Sequence, residues 1–161
     1  KDKPMRKFSF YGLTLGTWIV MTPMFGMILD MSPEIIPLSV FLSTSIFGVC
    51  AFISTKIKKT TMMEWKVPLY SGLSTLLGVQ IINLGALLIC GPNVLTELLH
   101  SIDVYEGIGL FTMMSIYDSY RCQAKYLKGK PDTIGCATQL FSDFMNLLIR
   151  IMEAMAKAKK K

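Results

Sequence analysis

Charge is scarce in this sequence, and most functional classes depend on it. Of its 161 residues, only 17% are Asp, Glu, Lys or Arg. A single histidine, His100, stands in a polar stretch with Glu97, Asp103 and Glu106, where solvation is the ordinary state of such a group. The cysteines Cys50, Cys90, Cys122 and Cys136 are widely spaced and form no CxxC pair, so neither a zinc-finger pattern nor a dithiol redox motif is present. They read as small buried hydrophobes. No glycine-rich phosphate loop and no nucleophile paired with a base occurs, and the chain is expected not to be an enzyme. The methionines are scattered rather than grouped with His or Cys, which suits adaptable packing and not a soft-metal site. With neither an initiator Met nor a recognisable signal peptide, the sequence reads as processed or as a fragment.

What the chain has instead is apolar length. Hydrophobic residues make up 52% of it, and its mean hydropathy is +0.46. Runs centre on residues 8–29, 35–53, 67–90, 107–124 and 133–155, separated by Pro33, by Lys56 to Lys66, by Gly91-Pro92 and by Lys125 to Pro131. About 20 residues at 1.5 Å each cross a hydrocarbon core of roughly 30 Å. The first three runs reach that length. The fourth does so only by including its polar end, and the fifth contains Asp143 and Arg150. The expected fold is all-α: a single membrane domain over residues 1–161, polytopic, with four to five transmembrane helices and a semi-hydrophobic C-terminal helix. The polar stretch from Gly91 to Glu106 is expected to be a loop.

The net charge of +6 could point to nucleic acid, but the arrangement of the basic residues argues otherwise. Lys1, Lys3, Arg6 and Lys7 precede the first run, Lys56, Lys58, Lys59 and Lys66 follow the second, and Arg121, Lys125, Lys128 and Lys130 follow the fourth. The first and third loops hold none. If the runs alternate direction, every one of these clusters shares a side, the pattern of positive-inside topology. The partner is therefore the lipid bilayer, and no nucleic acid is expected. The fifth run is the exception: if it spans, Lys157, Lys159, Lys160 and Lys161 fall on the opposite side. It is expected to be re-entrant or a weakly inserted span held by its neighbours. Ser71, Ser74 and Gly78 on the third run, and Gly107 and Gly109 on the fourth, suit close helix contact. Gln80 and Asn83 are expected to hydrogen-bond a neighbouring helix, with the lining of a polar path as the functional alternative.

Two aspartates stand inside apolar runs, Asp118 and Asp143. An Asp at a bilayer centre costs roughly 2.5–3.5 kcal/mol on insertion scales, and polar groups kept there are usually functional. Asp118 lies about seven residues before the polar loop and Asp143 about ten after it, so in an antiparallel pair their depths are roughly 10 and 15 Å. They can meet at similar height, with Leu140, Phe144 and Leu147 around them. Two carboxylates in a low dielectric share a proton, and their titration belongs to the pair. Such a pair holds a proton or a cation, not readily both. Ca2+ takes six to eight oxygens, of which two carboxylates supply at most four. The expected ligand is a weakly and transiently held Ca2+ released on protonation, with no resident cofactor. The structural alternative is a salt bridge for each, Arg121 to Asp118 and Arg150 to Asp143. The Tyr117-Asp118 step is superficially like half of an intramembrane aspartyl protease site. The Gly-x-Gly-Asp half is missing, because Gln139-Leu140-Phe141-Ser142 precedes Asp143.

At these residues the chain resembles the transmembrane Bax inhibitor motif family. Ile116-Tyr117-Asp118, a charged loop, and Leu140-Phe141-Ser142-Asp143-Phe144-Met145-Asn146-Leu147 are similar to that family's closing helices, and the lysine-rich end is similar to its Bax inhibitor branch. Met31-Ser32-Pro33-Glu34-Ile35-Ile36-Pro37, followed by Ser43-Thr44-Ser45-Ile46-Phe47, resembles its Asn-Pro-Ser-Ile-Leu-Pro turn and the helix after it. The resemblance runs in order over nearly the whole chain. It implies a helical membrane protein whose two aspartates form a pH-sensitive site for Ca2+ leak or Ca2+/H+ exchange. It also implies a location in the mitochondrial inner membrane, the endoplasmic reticulum or the Golgi. An organellar protein is expected here, in the mitochondrial inner membrane ahead of the endoplasmic reticulum. Family members have about seven spans, and this chain aligns with the last five. The absent second span carries, in some relatives, an arginine that latches the first aspartate. The alternative role is therefore a structural or accessory subunit of a larger membrane complex, with partner helices covering the flank of the absent ones.

Overall fold

Helices account for almost all of the chain, in the order α1 (Pro4–Met31), α2 (Ile35–Ser54), α3 (Lys59–Cys90), α4 (Val94–Leu127) and α5 (Thr133–Lys159). The computed structural model describes residues 4–129 and 132–159, and no strand occurs among them. Lys1, Lys3, Lys130, Pro131, Lys160 and Lys161, together with the side chain of Arg6, lie outside the described residues, so the charge pattern is followed on the remaining cations. Three helices are long and apolar enough to cross a membrane, over Lys7–Asp30, Ile35–Ser54 and Lys59–Cys90. The α4 and α5 helices, of 34 and 27 residues, are long enough too but less apolar.

The helices overrun the apolar runs, for local reasons. The start of α3 lies at Lys59 rather than near residue 67 because Met62 is buried, packing with Cys50 of α2 and Ile116 of α4. Tertiary packing thus draws the basic stretch into the helix, which continues through Pro68. At the other end Gly91, at φ 69°, stops α3 in a conformation that favours glycine. The polar stretch after it is a helix, not the expected loop. Asn93 caps α4: its side chain accepts from the Thr96 N–H at 3.0 Å, and its own N–H donates to Thr96 Oγ1 at 2.9 Å. Such reciprocal caps contribute about 1 kcal/mol. Glu97, His100, Asp103 and Glu106 therefore ride on α4.

The α5 helix is unbroken and forms no re-entrant hairpin. It runs antiparallel to α4 along its length. Lys125 pairs with Asp132 at 3.7 Å at one end, the Cys122 and Cys136 side chains meet next to it, and at the other end Lys157 donates to the Glu97 carbonyl at 3.3 Å and to Ser101 Oγ. The helix also packs on α2 and α1, and so occupies the middle of the bundle. That explains its modest hydrophobicity: its polar groups face protein, not lipid. Its terminal lysines are matched where they emerge, since Lys159 lies 3.7 Å from Glu34 and Lys157 is bonded as above.

Small residues on α2 set the closeness of the core. Ser39 and Ser43 are fully buried, with Cys50 and Ser54 further along the same face. Ser39 Oγ, which donates to the Ile35 carbonyl at 2.6 Å, lies 3.3 Å from Met155 Sδ, Cys50 Sγ donates to the Thr112 carbonyl at 3.5 Å, and Gln123 Nε2 donates to Ser54 Oγ at 3.0 Å, tying α2 to both α5 and α4. On α3 and α4 the expected small-residue contacts are only partly met. Gly107 lies under Arg150, but nothing approaches Gly78 or Gly109, and Ser71 and Ser74 are exposed. Gly72, one position from Ser71, makes the close approach to Leu110 instead. Among the cysteines only Cys50 is fully buried, and Cys90 is exposed at the end of α3.

Candidate functional site

The α4 and α5 helices bring Asp118 and Asp143 together. Each residue is 5% exposed, and the two carboxyl groups lie within hydrogen-bonding reach of one another. A hydrogen bond between two carboxyls needs a proton on one of them, because an ionised carboxylate only accepts. Asp143 Oδ2 is buried and has no hydrogen-bond partner among the described residues. Arg121 and Lys125, one and two turns further along α4, act on Asp118 electrostatically, and Cys122 lies within the same field. Neither forms an ion pair with either aspartate, and Arg121 is itself exposed. Phe144 beside Asp143 stacks edge-on against Phe47 at 5.7 Å, and Ile116 packs with Cys50, so the surround is apolar as expected.

Arg150 does not serve Asp143. It pairs with Asp103, with side chains 11% and 8% exposed, and reaches Glu153 at 3.5 Å. Arg150 lies about two turns beyond Asp143 on α5, roughly 10 Å along the axis, and its Nη1 is taken up by the acid opposite on α4. Gln80 Nε2 donates to Asp103 Oδ1 at 3.2 Å, so this glutamine belongs to the second cluster and not to the aspartate pair. Asn83 is half-buried, and its Oδ1 has no partner among the described residues. The arginine stem fits because Gly107 has no side chain: a Cβ there would stand 3.0 Å from Arg150 Nε. Asp103 is the residue that sequence reasoning missed. Two signals pointed to it: an Asn93 cap that starts the helix early, and an arginine in a buried face that needs a counter-ion. Between the two charge clusters lie the apolar side chains of Leu76, Phe111 and Leu147, and Ile151 packs with them.

On the basic side a cavity of about 620 Å³ lies between the starts of α1 and α5, and neither aspartate lines it. The Lys125–Asp132 pair stands at its mouth, and Thr138 and Gln139 line it. Gln139 precedes Asp143 by one turn on the same face, and its buried Oε1 has no partner among the described residues. The cavity lining thus ends at Gln139, one helical turn before Asp143, while the apolar layer and the Asp103–Arg150 pair lie on the other side of the carboxyl pair. Among the described residues no group of three or more His, Cys, Asp or Glu side chains could hold a metal ion. His100 is exposed on α4, beside Glu97 and Glu153, well away from the pair.

The chain matches the family Bax1-I, inhibitor of apoptosis-promoting Bax1, over residues 1–160. No curated protein and no solved structure matches it.

Proposed function

The chain belongs to the Bax1-I family of inhibitors of apoptosis-promoting Bax1, and from that footing we propose that this integral membrane protein carries a pH-sensitive Ca2+ leak or Ca2+/H+ exchange through Asp118 and Asp143. The observation that carries the reading is the buried contact between two carboxyls, one with an unpartnered oxygen, with the Phe47–Phe144 ring pair beside it. With one proton, the pair is a hydrogen-bonded monoanion. Loss of that proton leaves two repelling carboxylates, a charge state that a divalent cation relieves. Ca2+ and the proton therefore compete for the same oxygens, and acidification favours release of the cation. The cavity at Gln139 supplies access from the basic side. Passage to the other side requires the Asp103–Arg150 pair and the apolar layer to part. The protein acts by binding and passing ions, without covalent chemistry.

The test is Ca2+ flux from liposomes holding the purified full chain, measured as a function of pH. Wild type should show a steep pH dependence, and Asp143→Asn should flatten it, since a single carboxylate no longer shares a proton. A flux-versus-pH curve unchanged by Asp143→Asn would sink the mechanism. No flux at all, with the chain recovered only inside a larger assembly, would favour an accessory-subunit role.

A further inference from the structure

A second cavity, of about 400 Å³, lies between the start of α3 and the end of α4. Four cations line it, Lys59, Lys66, Arg121 and Lys128, and no acidic residue does. None of the four forms an ion pair with a described residue. Its floor is of a different character: Met62, Met63 and Leu127 give an apolar surface, and Tyr117 and Tyr120 complete the lining. Uncompensated cations above an apolar floor, at the basic end of a membrane bundle, match the two halves of one molecule. A phosphate ester satisfies the cations, and an acyl chain covers the methionines. Basic pockets between helices on this side of a membrane are suited to anionic headgroups, and tyrosines favour the same interfacial depth.

We propose that this cleft is a binding site for an anionic phospholipid, with its phosphate held by Lys59, Lys66, Arg121 and Lys128 and its chain laid over Met62 and Met63. The shared chemistry is a phosphate ester, and the apolar floor selects a lipid over a soluble phosphate. Arg121 also acts on Asp118, but the ligand and the readout, lipid binding, are separate from Ca2+ flux, and the test variants leave Arg121 in place. A cation near an anionic lipid surface contributes roughly a fivefold factor in affinity, so removing two should weaken binding by about 30-fold.

The experiment is a native mass spectrometry titration of the full chain in detergent with phosphatidylglycerol, phosphatidylcholine or inorganic phosphate. Phosphatidylglycerol should bind at least about tenfold more tightly than phosphatidylcholine. Lys66→Gln/Lys128→Gln should lose most of that binding. Lys7→Gln/Lys58→Gln, which removes the same charge from exposed positions at the same end outside the cavity, should keep it. Equal losses in the two double variants would reduce the effect to general surface attraction and overturn the site. Equal binding of the two lipids would overturn it as well. Displacement of the lipid by inorganic phosphate at comparable concentration would overturn the lipid assignment.

Discussion

A methyl group added at Gly107 would meet Arg150 at three atoms, Nε at 3.0 Å, Cδ at 3.2 Å and Cγ at 3.3 Å, and the arginine cannot swing away while Asp103 holds its head. A methyl group at Gly72 meets only the tip of Leu110, at 2.9 Å, which can change rotamer. The two glycines look alike in sequence, yet they should respond oppositely. Gly107→Ala should destabilise the protein by about 1–3 kcal/mol, as overpacking does. Gly72→Ala should be neutral or slightly stabilising, because alanine favours helix over glycine by up to about 1 kcal/mol. Thermal unfolding of both variants in the same detergent checks the contrast, and equal shifts would contradict it. The same scale separates the legible site residues from the hidden one. Asp118 and Asp143 could be read because each interrupts an apolar run. Asp103 is harder to read, because it sits among other polar residues, and only the Asn93 cap and the arginine on α5 taken together distinguish it from a solvated acid.

The α4–α5 pair builds both the aspartate pair and the buried Asp103–Arg150 ion pair. Asp103 and Arg150 are buried together, and removing one leaves the other uncompensated, at a cost of about 3–5 kcal/mol. Asp103→Ala should therefore lower stability by that order. Asp103→Leu/Arg150→Met should recover most of the loss, since well-packed apolar residues often replace a buried pair at little cost. Denaturant titration of the single and double variants in detergent gives the comparison, and a double variant no more stable than the single would count against this assignment. Helix α5 also shows why its character was only half legible. Its mixed composition ruled out a lipid-exposed span but left a re-entrant segment open. The choice depended on its neighbours: α1, α2 and α4 cover it, so hydrophobicity against lipid never decides its placement. The boundaries of α3 and α4 were missed for the converse reason, since Met62 and the Asn93–Thr96 cap extend helix into stretches whose composition is that of a loop.

Across the whole molecule the two ends differ in kind. The basic end gathers the lysines at the starts of α1 and α3 and the end of α4, together with the phospholipid cleft and the cavity leading to Gln139. The opposite end carries Glu34, Glu97, Asp103 and Glu153, and these meet Arg150, Lys157 and Lys159 of α5. This polarity was visible in the spacing of the lysines, as was the all-helical class, because both follow from one-dimensional patterns. The sealing of the acidic end was not, since it depends on which residues of α4 face α5. The aspartate pair lies between the two ends, and the proposed function makes its defining property a proton that Ca2+ must displace. The number of protons released per Ca2+ bound, measured in weakly buffered detergent solution near neutral pH, tests this most directly. The expected result is about one proton per Ca2+, lost in both Asp118→Asn and Asp143→Asn. Ca2+ binding with no proton release, or release that persists in both variants, would contradict it.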